Sequence, residues 1–209
     1  MNKRSGIQSK KNILDAAMRV FCRHGYAGAS IREIAKTADI SIGGVYLYFR
    51  NKEDLYLSLI KNRVVEQEKR IREIVKSSGS SSHALSAFLS GHLEYSIKHK
   101  ESILTHIREH GFTFGLEIKR RFFRNQIGLL TDILKKGIKD GEFRECNVNE
   151  AARIVMAALR GISLSMAIDG VRIISAKGIG ELMLKGLSKD GIRKSEGRSE
   201  KQRGRRGSI

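Results

Sequence analysis

Between positions 30 and 52 the side chains have the types and spacing of a surface that could meet a chain of phosphates. Ser30-Ile31-Arg32-Glu33 has the form of a capping box, in which a hydroxyl and a carboxylate satisfy free N–H groups at a helix start. Ser41 is a second capping residue, and the helix it opens would offer N–H groups and a partial positive charge to an anion. Gly43 and Gly44 carry no side chain, so a ligand could approach the backbone closely there. Tyr46 and Tyr48 can place hydroxyls on phosphate oxygens; the alternative for Tyr46 is that its ring serves largely as core packing. This is docking chemistry, with no bond made or broken.

A second group of residues suggests metal binding and fails on spacing. His92, His99, His106 and His110 lie on predicted helices. Residues seven apart are two turns, roughly 10 Å, from each other and cannot share an ion. His106 and His110 are one turn apart, but a site needs further ligands and none is placed beside them. We expect no metal, and no cofactor of any kind. Cys22 and Cys146 lack redox or zinc spacing, and Cys22, next to Phe21, reads as a buried structural thiol.

The elements that would position the docking residues follow from periodicity. Ile13, Leu14, Ala17, Val20 and Phe21 repeat with helical spacing, and Gly25 ends that pattern. Ile31, Ile34, Ala35 and Ala38 give a short second helix one buried face. Asp39-Ile40 makes a tight turn, and a third short helix runs from Ser41 towards Phe49, with Ile40, Val45 and Phe49 inward. Asn51 caps a long fourth helix over about 52–76, with Glu53 and Asp54 where the helix dipole favours them. Further helices are predicted at about 83–98, 101–111, 116–140, 149–169 and 174–187, with Gly141 as a left-handed stop. The fold class is therefore all-α, with about nine helices. Two short capped helices joined by a tight turn are a helix-turn-helix pattern.

The stretch from Ser30 to Leu55, SIREIAKTADISIGGVYLYFRNKEDL, together with Phe21 and His24-Gly25-Tyr26, resembles the N-terminal domain of the tetracycline-repressor (TetR) family. Val45–Asp54 and the later Gly137-Ile-Lys-Asp-Gly-Glu-Phe143 are similar to acyl-CoA-responsive members. The resemblance covers about a quarter of the chain, residues 9 to 57. It implies an N-terminal helix-turn-helix DNA-binding domain over 1–50 and a helical ligand-binding and dimerisation domain over 51–187. A basic tail, 188–209, has almost no apolar residues and is expected to be disordered. It also implies that Lys52 contacts phosphate and that Arg32 reaches a phosphate or a base edge. Three positions depart from the family pattern. Asp39 stands in place of the commonest turn glycine and tolerates a left-handed backbone. Gly44 removes a frequent hydroxyl, and Ile42 and Leu47 are apolar where polar or aromatic groups are common. The expected reader uses thymine methyls and DNA shape, with few hydrogen bonds to base edges.

The same resemblance implies an effector pocket and a dimer. Candidate pocket walls are Tyr95, Leu104, Ile107, Phe112, Phe114, Phe122, Phe123, Ile127 and Met156, with Arg124 and the Lys119-Arg120-Arg121 cluster beside them. An apolar chain with an anionic head, such as a fatty acyl-CoA, fits that composition; a solvated basic helix face is the plainer alternative. Val155, Leu159, Ile162, Met166 and Leu182 supply apolar area for a four-helix dimer interface, and an ordinary internal core is the alternative for them.

Composition agrees and prunes the rest. Forty Lys and Arg against 22 Asp and Glu give +18, which favours an anionic partner. No phosphate loop, nucleophile elbow or paired metal motif is present, so an enzyme is not expected. The N-terminal segment lacks the apolar run of a signal peptide, and Arg153 and Arg160 interrupt the most apolar stretch. The expectation is a cytoplasmic homodimeric repressor with no membrane span. It would bind double-stranded, (pseudo)palindromic operator DNA and leave it when a small apolar or amphipathic molecule binds. The alternative is a basic architectural DNA-binding protein with no effector.

Overall fold

The computed structural model describes residues 3–101, 103–104, 115–169 and 176–187. Eight helices follow one another among them: α1 (Lys3–Gly28), α2 (Ile31–Thr37), α3 (Ile42–Tyr46), α4 (Lys52–Lys76), α5 (Ser81–Lys98), α6 (Leu116–Lys139), α7 (Val148–Asp169) and α8 (Ala176–Leu187). The helix expected over about 101–111 lies mostly outside the described residues, as does the basic tail. No described helix is long and apolar enough to cross a membrane.

The chain forms two compact units, Met1–Glu68 with Lys98–Phe122, and Lys69–Ile97 with Phe123–Ile209. The expected boundary after residue 50 is thereby moved. Leu55, Tyr56 and Leu59 of α4 are buried in the same cluster as Ile13, Val20, Phe21, Ile34, Val45 and Phe49, so the start of α4 belongs to the first core. Tyr56 lies edge-on to Phe21 at 4.9 Å and to Tyr26 at 5.2 Å between ring centroids. Such pairs add to the apolar area they bury.

Local signals were obeyed closely in this unit. Gly25 takes φ 69° where the α1 pattern stops, and Asp39 takes φ 55° in the turn between α2 and α3. Ser30 caps α2 by accepting from the Glu33 N–H at 3.1 Å. The reciprocal half of that capping box is diverted, because the Glu33 carboxylate sits 2.8 Å from His24 Nε2. A related exchange occurs at α4, with the returning carboxylate taking the N–H one residue before the cap. Asn51 Oδ1 accepts from Asp54 N at 2.8 Å, and the Asp54 carboxylate accepts from Arg50 N at 3.0 Å. Cys22 departs from expectation. Phe21 takes the inward slot, and Cys22 is rotated onto the exposed side, where its thiol donates to Met18 Sδ at 3.4 Å.

The second unit has its own core, built on Leu85, Phe88, Leu89 and Leu93 of α5, Leu130 and Leu134 of α6, and Met156 and Leu159 of α7. A turn after α6 ties three of its helices. Gly141 stops α6 at φ 76°. Both Glu142 carboxylate oxygens then accept from the Ser81 and Ser82 N–H groups at 2.8 Å, capping α5. Those backbone donors hold the Glu142 carboxyl at about 2, well below its usual range. Arg144 donates from its backbone to Leu187 O and from Nε to Gly186 O, both at 2.8 Å, and so fixes the end of α8.

His92 lies in this core beside the Phe88 ring, with Nε2 3.1 Å from Gln126 Oε1. Burial lowers its pKa to about 4, only partly opposed by the Gln126 hydrogen bond. The folded state therefore keeps His92 neutral while the unfolded chain takes a proton below about 6.5. Stability is full above that value and falls as pH drops from about 6.5 towards 4, by about 3 kcal/mol in all. Urea denaturation across this range is expected to show that slope in the native chain. His92→Gln should flatten it.

Candidate nucleic-acid interface

The candidate reading surface is fixed from beneath by a few buried side chains. Val45 is completely buried and Phe49 nearly so, with Ile40 half-buried against the same core. These three hold one side of α3 and leave the other open. Ser41 caps the helix by accepting from Gly44 N at 3.0 Å. The backbone continues one more turn, with Leu47 N bonded to Gly43 O and Phe49 N to Val45 O.

What remains outside is a small, mainly apolar face. Leu47 is 76% exposed, Tyr46 52% and Ile42 39%. Ser41, Gly43 and Arg32 are also exposed, while Gly44 and Tyr48 are half-buried. The exposure of Tyr46 removes core packing as its role. The two glycines differ in what surrounds them. A Cβ at Gly43 would meet nothing nearer than Ser41 Oγ at 3.9 Å. At Gly44 it would lie 3.3 Å from Ser41 Oγ and 3.6 Å from Ile40, so a side chain there would press on the capping hydroxyl. Lys52 is placed differently from the other candidates. Its ammonium is turned inward onto backbone carbonyls of residues 26–29.

The candidate pocket residues are divided by the fold. Leu104 and Phe122 belong to the first unit, with Phe122 buried and Leu104 half-buried. Tyr95, Phe123, Arg124, Ile127 and Met156 belong to the second. There Met156 is in the core, Phe123 and Ile127 pack against it, and Arg124 is exposed. Ile107, Phe112 and Phe114 lie outside the described residues, as do His106 and His110. Burial lowers the pKa of Lys119, which is half-buried at the start of α6. Among the described residues no group of three metal-ligating side chains comes together.

Sequence reasoning missed two features of the second unit. The Arg160 guanidinium lies 3.8 Å above the Phe123 ring, a cation–π contact. Inside, the Ser96 hydroxyl donates to His92 O and lies 2.7 Å from Ser163 Oγ, which donates in turn to Leu159 O. Neither was signalled locally, since the partners are up to 67 residues apart.

The expected dimer residues need correction. Val155, Leu159 and Met166 are buried in the core of their own unit, and Ile162 packs against it. Of that set only Leu182 is exposed. Among the described residues, the large apolar side chains that α7 and α8 leave exposed are Ile154, Ile168 and Leu182.

A capped two-helix reader with an exposed face, followed by a separate helical unit, defines the class as a helix-turn-helix regulator. Residues 13–59 match the model of bacterial regulatory proteins of the tetR family, and residues 119–189 match that of the QacR-like C-terminal region. The fatty acid metabolism regulator protein of Bacillus subtilis (strain 168) is 31% identical over 135 residues, covering 64% of this chain and 70% of that one. The solved fatty acid degradation regulator FadR from Bacillus halodurans superposes with a TM-score of 0.70 at 25% identity, over 85% and 98% of the two chains. FadR from Bacillus subtilis, solved in complex with stearoyl-CoA, shares the fold with a TM-score of 0.67 at 24% identity, over 87% and 98%. The chain belongs to the tetR family of bacterial regulatory proteins, and it is a DNA-binding transcription regulator and not an enzyme.

Proposed function

We propose that this protein is a homodimeric repressor that binds a (pseudo)palindromic operator and leaves it when a long-chain fatty acyl-CoA enters the helical unit. The observation that carries the effector class is an apolar core with a cationic edge. Arg160 stacks on Phe123, Arg124 is exposed next to it in sequence, and Ile127 and Met156 lead into the core. An acyl chain needs the apolar part and the phosphates of coenzyme A need the cations. The fatty acid metabolism regulator, at 31% identity, supports the same class.

The reader's part is played by Ser41, Ile42, Gly43, Gly44, Tyr46, Leu47 and Tyr48, with Arg32 from α2. Ile42 and Leu47 supply apolar contact to thymine methyls, and the hydroxyls and helix start supply contact to phosphates. Ile154, Ile168 and Leu182, with the small Ala157 and Gly161 between, are the surface for the second copy. Two readers in a dimer meet half-sites about one helical turn apart, roughly 34–36 Å, so a modest pivot weakens both together. Operators are reached in the cytoplasm, where this reading places the protein.

The test starts from an operator recovered by binding-site selection with the full chain. Stearoyl-CoA is then titrated into the complex, with coenzyme A and stearate as separate controls. Stearoyl-CoA is expected to weaken operator binding at least about tenfold, equal to about 1.4 kcal/mol of coupling. The controls should leave it unchanged. Equal affinity with and without stearoyl-CoA sinks the effector class. Equal affinity for every DNA sequence favours the architectural alternative.

A further inference from the structure

We infer, on the effector reading proposed above, that His92, Ser96, Gln126 and Ser163 form a neutral band that binds the amide-bearing pantetheine arm of an acyl-CoA. The band tells such a thioester from a free fatty acid, which has no group between its carboxylate and its chain. The four side chains come from α5, α6 and α7 and all belong to the second unit. His92, Ser96 and Gln126 are buried, and Ser163 is half-buried, so solvent reaches the band at that end. His92 Nε2 lies 3.1 Å from Gln126 Oε1, and Ser96 Oγ lies 2.7 Å from Ser163 Oγ. His92 and Ser96 are four residues apart on α5, which sets the two pairs roughly 6 Å apart along that helix.

The members of the band leave hydrogen-bonding capacity over. Ser96 Oγ donates to His92 O at 3.0 Å, and Ser163 Oγ donates to Leu159 O at 2.7 Å. Each hydroxyl has one proton, so with both given to helix carbonyls the short contact between the two oxygens has none. An N–H brought to that pair is accepted without breaking either helix bond. Gln126 offers the complement. Its Oε1 faces His92, and among the described residues its Nε2 makes no hydrogen bond, which leaves buried N–H groups for an acceptor. Burial keeps His92 neutral, so the band carries no charge and does not suit a phosphate or a carboxylate. An acceptor pair and a donor about one turn apart match a secondary amide, and pantetheine is built on such amides. The neighbours of the band agree. Arg160, stacked on Phe123, precedes Ser163 by one turn on α7, and Phe123 precedes Gln126 by one turn on α6. Ile127 and Met156 continue into the apolar core. Cation, neutral band and apolar core thus follow in the order of phosphate, pantetheine and acyl chain.

Three thioesters of one acyl chain, titrated into the full chain, test the band: stearoyl-CoA, S-stearoylpantetheine and S-ethyl thiostearate. S-stearoylpantetheine lacks the nucleotide and its phosphates, and the ethyl thioester lacks the amides as well. A neutral hydrogen bond is worth about fivefold in affinity, so the native chain should bind the pantetheine thioester at least about 25-fold tighter than the ethyl one. Ser163→Ala and Gln126→Met should each cut that ratio to about fivefold. Neither should change the ratio between stearoyl-CoA and S-stearoylpantetheine, which reports the phosphates. Comparing two ligands within one variant cancels any loss of stability. An unchanged pantetheine-to-ethyl ratio in both variants overturns the role of the band, as does equal affinity of the native chain for those two ligands. In either case, binding of stearoyl-CoA leaves the effector class standing. A native chain that binds none of the three thioesters sinks the effector class and the band together.

Discussion

Replacing Gly137 with alanine is expected to destabilise the protein by about 3 kcal/mol, although the same change inside a helix normally gains about 1. The reason is Phe143. A Cβ at position 137 would lie 2.1 Å from Cδ2 and 2.4 Å from Cε2 of that ring. The ring has nowhere to retreat, being 1% exposed and packed in the core of the second unit. It is also fixed from its backbone, since Phe143 N donates to Gly137 O at 3.0 Å. Urea denaturation measures the loss. In a double-mutant cycle, Phe143→Leu should recover a large part of the Gly137→Ala penalty, because the smaller side chain frees the space. Strict additivity of the two changes would show that the close approach does not decide the cost.

The largest expected effect on function belongs to Leu47. Leu47→Glu should weaken binding to the selected operator by about 100-fold, equal to about 2.7 kcal/mol, because it sets a carboxylate against a groove walled by phosphates. The side chain is 76% exposed, so the fold should not register the change, and the melting temperature should stay within about 1 °C. Leu47→Ala is the milder companion. It should lower affinity less and relax the base preference at one position per half-site, read out by repeated selection. Unchanged affinity and preference in Leu47→Ala would remove Leu47 from the reading surface.

How much of this was readable in the sequence depends on how local each determinant is. The caps at Ser30, Ser41 and Asn51, the left-handed Asp39 and the stop at Gly141 involve groups within a few residues, and all were readable. The inward set of Ile40, Val45 and Phe49 followed from helical spacing alone. The reading face came with it, as whatever that set left outside. Errors arose where partners are distant or where a helix is apolar on more than one side. α7 carries Ile154, Val155, Met156, Leu159, Ile162, Met166 and Ile168, so its periodicity does not say which stripe meets its own core. The buried stripe was therefore mistaken for the free one. The contacts of the Lys52 ammonium with backbone carbonyls are not legible locally, because those partners lie 23 to 26 residues away. The closeness of Phe143 to Gly137 depends on how the turn folds back, which composition does not reveal.

The unequal surroundings of Gly43 and Gly44 bear on how such a regulator can change allegiance over generations. Position 43 has open space around it, so a new side chain there costs the fold little and lands on the exposed face that we propose meets DNA. Position 44 is closer to its neighbours, so a side chain there has to shift the Ser41 hydroxyl by a few tenths of an ångström. Drift towards a new operator therefore meets least resistance at 43, 46 and 47 and more at 44. Duplicated copies of this gene could diverge in their targets along that route while keeping the same scaffold.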